Sequence, residues 1–388
     1  MANQGNHIKH FERYKGNEII IAGTDAKPIV GINGMDISIQ LLAHDSPLYT
    51  SRLTYNVYSS PLELAREMID IEFILKGKGI NFIKAILKRR VNVARLSPAE
   101  MTKFRNALFI MKESGEYDKY VFIHKHSGNL AHYGPAFLPW NRVFCYKFEQ
   151  ELQNIDQDVV LPYWDSTTNN LDSHDDSKVW RRDFLGKSGE VTLSWKGKNG
   201  GSQSWQIRRN KFNMIAIPVD SNSFNLNRDS YPEFRPVIEN KMHSASHVFL
   251  GVPSGDQCSF ATAVNDPYYF LIQCNIDRLW VEWQLRMKRK WLDEHPGMKY
   301  PASQMAVDYY WSGTDEEHTW TTPPNRHNLD DVLWPWDGTH TPDGGSESAI
   351  PPWCNGMREN FTPRMMLNHH DWGYVYDTEP RSKDTDDY

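Results

Sequence analysis

The stretch Tyr120-Val121-Phe122-Ile123-His124, followed by Leu130-Ala131-His132-Tyr133-Gly134-Pro135 and then Phe137-Leu138-Pro139-Trp140-Asn141-Arg142, puts one histidine at the end of an apolar run and a second in the next loop. A histidine in such surroundings is ordinarily a hydrogen-bonded core residue. Further along, Met242-His243-Ser244-Ala245-Ser246-His247 sets two more histidines four apart in a helical pattern. That spacing turns both imidazoles to one helix face, where two nitrogens can chelate one transition metal. Taken alone, such a pair is more often a coincidence of a polar surface.

Outward from these stretches the pattern is helical. Ser97-Pro98-Ala99-Glu100 supplies an N-cap, a proline at the first helical position and a capping-box glutamate, which predicts a helix from about Pro98 towards Lys112. A second is expected near Tyr117, and a third after Pro139, where Phe144, Phe148 and Leu152 recur on one face. Helical spacing returns over Ile238 to Phe249 and again over Tyr268 to Trp291, opened by Asp266-Pro267. Residues 166–232 are rich in Ser, Asn, Asp, Gly and Lys and read as long surface excursions with a few strands; residues 312–363 read as irregular. At the other end, Glu18-Ile19-Ile20-Ile21 and Ile29-Val30-Gly31-Ile32 read as strands, and the segment from Pro61 as a short helix. The basic run Lys88-Arg89-Arg90 suggests a boundary, giving an N-terminal extension over 1–88, a core domain over 89–377 and a polar tail over 378–388.

Composition narrows the class. Lys plus Arg number 43 against 49 Asp plus Glu, a net charge of -6, which excludes a generally basic chain that coats nucleic acid. Aromatic residues make up 13% of the 388, too much bulky apolar surface for a disordered chain. Cys145, Cys258, Cys274 and Cys354 form no CxxC pair, so neither a disulfide scaffold nor a zinc ribbon is indicated. No basic start precedes an apolar run, and no stretch has the length of a membrane span. The expectation is a cytoplasmic protein with no nucleic-acid or membrane partner.

Taken together, the motifs resemble one family. Tyr117-Asp118-Lys119-Tyr120 leading to His124, then His132, Phe137-Leu138-Pro139-Trp140, Arg142 and Leu161-Pro162-Tyr163-Trp164-Asp165 are similar to the first metal-binding half of the tyrosinases, the type 3 copper proteins that include catechol oxidases and haemocyanins. His243-x-x-x-His247, Asn265-Asp266-Pro267-Tyr268-Tyr269-Phe270-Leu271 and Cys274-Asn275-Ile276-Asp277-Arg278-Leu279-Trp280 resemble the second half, and Gly373-Tyr374-Val375-Tyr376-Asp377 the Tyr-x-Tyr segment that closes the core.

The resemblance implies a mainly α fold: a tyrosinase-like core around a four-helix bundle, with long irregular insertions and the N-terminal extension. It also implies two coppers, with His124 and His132 as ligands of one and His243 and His247 as ligands of the other. The third ligand of each half is replaced. Asn141 stands in Pro139-Trp140-Asn141-Arg142 and Gln273 in Phe270-Leu271-Ile272-Gln273-Cys274, where the family has histidine. Both replacements are amides, which donate and accept hydrogen bonds but are poor ligands for Cu(I). Three arrangements remain open: one metal, copper or zinc, held by the four histidines; two weakly held metals assisted by Asn141 and Gln273; or none. The resemblance also makes Phe270 the aromatic overhanging the second copper, and Arg142, Asp165, Asp277 and Arg278 structural ion-pair residues. His126 and the tandem His369-His370 read as surface residues. Leu130 stands where many members have a cysteine linked to histidine. Ser244 and Val248, next to the two helix histidines, argue against efficient monophenol hydroxylation.

The function expected is an oxidoreductase-like biosynthetic enzyme of specialised metabolism, acting on a small aromatic or phenolic molecule with His124, His132, His243, His247, Asn141 and Gln273 as the site. The alternatives are a non-catalytic pseudoenzyme or binding module, and an ordinary copper-dependent phenol or o-diphenol oxidase.

Overall fold

The structure, a computed structural model, describes residues 8–14, 17–24, 27–32, 35–37, 40–43, 48–51, 54–58, 60–66, 68–69, 88–169, 179–187, 189–209, 227–298, 300–310, 327–338 and 359–379. The chain separates into two compact units, Met1–Leu87 and Lys88–Tyr388.

In the first unit, β1 (Ile8–Tyr14), β2 (Asn17–Thr24), β3 (Lys27–Ile32) and β4 (Met35–Ile37) form an antiparallel sheet in sequence order. A second, three-stranded sheet holds β5 (Gln40–Ala43), β6 (Leu48–Ser51) and β7 (Thr54–Tyr58). Alternation puts Ile19, Ile21, Val30 and Ile32 on one face of the first sheet, where they meet Leu64, Ala65, Met68 and Ile69 of the helical stretch that starts at residue 61. The rest of that helical pattern, beyond Ile69, lies outside the described residues.

The second unit is mainly helical. Helix α1 (Pro98–Glu113) opens as its capping box dictates: Ser97 Oγ accepts the Glu100 N–H at 3.3 Å and the Glu100 carboxylate accepts the Ser97 N–H at 2.8 Å. Four rods follow: α2 (Glu116–Ser127); α3 (Phe137–Ile155); α4 (Tyr231–Val237), running through a π-turn (Ile238–His243) into α5 (Ser244–Gly251); and α6 (Tyr268–Glu294). These four rods make the four-helix bundle expected of the core. Helix α3 starts ahead of Pro139, because a proline in the first turn gives up only an N–H that has no intrahelical acceptor. Its buried face packs on α6, with Phe148 and Phe270 stacked.

The α4–α5 rod also begins earlier than its apolar spacing suggests. Pro232 lies in the opening turn, where it costs no intrahelical bond, and Pro236 leads into the π-turn. There the Ser244 N–H reaches the Glu239 carbonyl five residues back, and Ser244 Oγ donates to the same carbonyl at 3.0 Å. The polar middle of the chain holds more structure than surface filler. β9 (Gly189–Lys196) and β10 (Ser202–Arg209) form a hairpin whose alternating Val191, Leu193, Trp205 and Ile207 are buried in the core. Residues 170–178 and 210–226 lie outside the described part, as do 311–326 and 339–358 of the later irregular segment.

The unit is closed by a parallel pair, β8 (Lys88–Arg90) with β11 (Tyr374–Tyr376). Beneath it sits a buried charge network. Asp277 takes Arg142 Nε at 2.5 Å and Arg90 Nη1 at 3.3 Å, and accepts the Tyr374 and Tyr376 hydroxyls, both at 2.6 Å. Glu149 pairs with Arg90 at 2.6 Å, while Arg278 pairs with Glu282 at 2.5 Å and lies 3.8 Å from Asp165. The structural role expected of Arg142, Asp165, Asp277 and Arg278 is what these contacts describe. Among the described residues no helix is long and apolar enough to cross a membrane.

Candidate functional site

His124 ends α2, His132 lies in the loop before α3, His243 closes the π-turn and His247 lies one turn on in α5. Their rings converge. Centroids are 5.3 Å apart for His124 and His132, 5.8 Å for His132 and His243, and 4.4 Å for His243 and His247. Gln273 of α6 joins them, its amide nitrogen 2.8 Å from His243 Nε2.

Each half is held by carbonyl anchors. His124 Nδ1 donates to the Phe260 carbonyl at 3.0 Å and His132 Nδ1 to the Gly128 carbonyl at 3.1 Å. With the proton on Nδ1, each Nε2 carries a lone pair, and both of these buried atoms lack a hydrogen-bond partner. Gln257 anchors His247: its Oε1 lies 2.7 Å from Nδ1, while its own amide nitrogen donates to the Asp266 carbonyl at 3.4 Å. His247 Nε2 is therefore also an acceptor, and it faces His243 Nε2 at 3.0 Å. The latter also lies against the Gln273 amide, and the Nδ1 of its ring is buried without a partner, so the His243 tautomer sets the direction of both contacts.

Burial keeps all four rings neutral at physiological pH. His132 and His247 are each pushed down to about 4, chiefly by desolvation. His124 and His243 are held well below the usual histidine range by the same cause, reinforced by neighbouring imidazoles. Neutral, convergent imidazoles with unused nitrogens suit a transition-metal ion. Among the described residues four histidines converge here, and the polar group beside them is the Gln273 amide.

Asn141 stands one ring behind. Its Nδ2 donates to the Phe137 carbonyl at 2.8 Å and its Oδ1 accepts from the Tyr269 hydroxyl at 3.4 Å. Tyr269 in turn packs on His124 at 4.7 Å and His247 at 5.7 Å. The overhanging aromatic is thus not Phe270, which is fully buried between Phe144 and Phe148. An aromatic does stand over the other half: Phe260 lies 4.6 Å from His132 and 6.0 Å from His124 and is 44% exposed, with Tyr133 beside it and 53% exposed. Tyr133 has φ 63°, an uncommon value for a bulky residue, and its N–H is held by the Glu239 carboxylate at 2.6 Å, itself paired with Arg235. His126 packs on Phe122, away from the cluster. The tandem histidines are not both at the surface: His369 is buried.

Gln257, Phe260, Tyr269, Glu239 and His327 carry no spacing signal that links them to the histidines. His327 Nδ1 accepts the Ala136 N–H at 3.2 Å and its Nε2 donates to the Asn129 carbonyl at 3.0 Å, clamping the loop that carries His132. The loop passes so close that a Cβ on Gly134 would lie 2.3 Å from the ring. We expect Gly134→Ala to cost about 1–3 kcal/mol, by displacing His327. Urea unfolding checks this, and an unchanged midpoint would remove the clamp from the account.

The chain matches the model of the common central domain of tyrosinase over residues 114–235 and 180–286. It is 28% identical over 289 residues to a tyrosinase of Streptomyces antibioticus, covering 64% of this chain and 93% of that protein. To the grixazone synthase of Streptomyces griseus it is 28% identical over 273 residues, covering 51% and 84%. Among solved structures, a polyphenol oxidase from Thermothelomyces thermophila superposes with a TM-score of 0.51 and 18% identity, over 75% of this chain and 88% of that one.

Proposed function

Since the chain belongs to the tyrosinase family of type 3 copper proteins, we propose that it is a non-standard biosynthetic enzyme acting on a small aromatic or phenolic molecule at a remodelled site. The observation that carries this reading is the pairing of four converging neutral imidazoles with an amide, Gln273, whose Oε1 is buried and unpartnered. A decayed site would be filled by apolar packing. This one keeps unused acceptors aimed inward, which costs stability unless a ligand meets them.

In this reading the aromatic ring of the substrate lies among Phe260, Tyr269 and Tyr133, and its hydroxyl points at the Nε2 atoms of His124 and His132. Either nitrogen accepts that hydrogen bond. Gln273 Oε1 receives a second donor on the substrate. Asn141 fixes the Tyr269 hydroxyl and so the wall behind His124. A copper or zinc ion on these imidazoles would supply Lewis acidity, and copper also redox chemistry. The resemblance to a grixazone synthase supports a biosynthetic role.

Protein purified with added copper and zinc is expected to carry fewer than two coppers per chain by metal analysis, and to bind phenols with slow or absent oxygen uptake on tyrosine and catechol. Two tightly held coppers per chain, with rapid catechol oxidation, would overturn the proposal. If no phenolic ligand binds and no oxygen is consumed with tyrosine, catechol or aminophenols, the enzymatic reading falls and the fold serves only as a binding module.

A further inference from the structure

Away from the four-histidine pocket, two adjacent histidines converge on one carboxylate. His369 and His370 lie in a short 3-10 turn (His369–Trp372), and their Nε2 atoms reach Glu379 Oε1 at 2.9 Å and Oε2 at 3.0 Å. Neighbouring side chains of such a turn normally diverge, because successive residues are rotated by about 120°. Here the ring centroids are 4.2 Å apart, and the three ligand atoms all lie within 4.8 Å of one another.

We propose that His369, His370 and Glu379 form a second metal site, which takes a divalent cation of the zinc class and fastens the segment after β11 to the core. Two imidazoles and a carboxylate are a zinc ligand set, and in a tetrahedral site with bonds of about 2.0–2.1 Å neighbouring ligand atoms lie roughly 3.3 Å apart. The two nitrogen–oxygen separations need to widen by a few tenths of an ångström, and the two nitrogens, within 4.8 Å of each other, to settle at that same spacing. Each ring then moves its proton from Nε2 to Nδ1 and offers the Nε2 lone pair. The supporting groups are present: the Tyr376 N–H holds Glu379 Oε1 at 2.6 Å, and Asn368 Oδ1 caps the turn by accepting the His370 N–H at 3.3 Å. His369 and Glu379 are each 6% exposed and His370 22%, so entry and a fourth, water-filled position lie on the His370 side.

The test is zinc content after equilibrium dialysis of the full-length protein and of Glu379→Gln and His370→Asn, none of which alters the four-histidine pocket. Wild type is expected to hold one zinc per chain more than either variant, and saturating zinc to raise its thermal midpoint more than theirs. Equal zinc content in all three proteins would overturn the site, leaving Glu379 as a hydrogen-bonded latch. Should Glu379→Gln fail to fold by circular dichroism, His370→Asn decides alone. Its side chain is partly exposed, and an amide can keep the hydrogen bond to the carboxylate.

Discussion

Asn141→His and Gln273→His, introduced together, are expected to give a chain that holds two coppers and oxidises catechol. Each half already provides two neutral imidazoles. Each lacks the third nitrogen donor that lets copper change oxidation state without leaving, for which a neutral amide oxygen is a poor substitute. Changes in the groups behind a metal ligand shift affinity by about 10–100-fold, so supplying a missing ligand in each half should raise copper affinity by at least about a hundredfold. Gln273 is the easier position, since its amide already touches His243 Nε2. At Asn141 the larger ring must displace the Tyr269 hydroxyl, so the single change there should yield less copper than Gln273→His alone. Copper per chain by mass spectrometry and oxygen uptake on catechol check both steps. If the wild type already binds two coppers and the double variant changes neither measurement, the site was never remodelled.

Asp277→Ala should be among the most destabilising single substitutions in the second unit. The carboxylate is 3% exposed and neutralises two fully buried arginines, Arg90 and Arg142, while accepting two tyrosine hydroxyls. Those arginines hold its pKa below the usual carboxylate range against a strong opposing burial effect. Removing it leaves buried guanidinium charge uncompensated, at a cost of about 3–5 kcal/mol. The loss should appear in urea unfolding. A change below about 1 kcal/mol would mean that Glu149 alone satisfies Arg90 and that Arg142 finds another acceptor.

Legibility in the sequence followed how local the cause was. The α1 start needed four residues and was readable to the residue. The i,i+4 pair His243 and His247 was readable because its geometry is set within one helical turn. The start of the α4–α5 rod is not, because its first turns, from Tyr231, lie ahead of the apolar spacing that begins at Ile238. The aromatic that faces the histidines from α6 is Tyr269, one residue before the expected Phe270. A helix rotates by about 100° per residue, and its setting against neighbours is fixed by packing rather than by its own sequence. The anchors Gln257 and Phe260 sit in a loop without periodicity. His369 reads as a surface residue from its place just before the Tyr-x-Tyr segment, while its partner Glu379 falls in the stretch read as a polar tail. Such partners are made adjacent only by the fold.

The pairing of β8 with β11 has a topological consequence. Because Lys88 sits beside Tyr374 and Arg90 beside Tyr376 in one parallel ladder, the described part of the helical unit starts and finishes at nearly the same place. Its backbone is close to a ring. A circularly permuted gene, with a short bridge across that ladder and new ends opened in a surface loop, would preserve every helix of the pocket. By the same geometry, truncation before residue 374 would remove half of the clasp and free the other half with it.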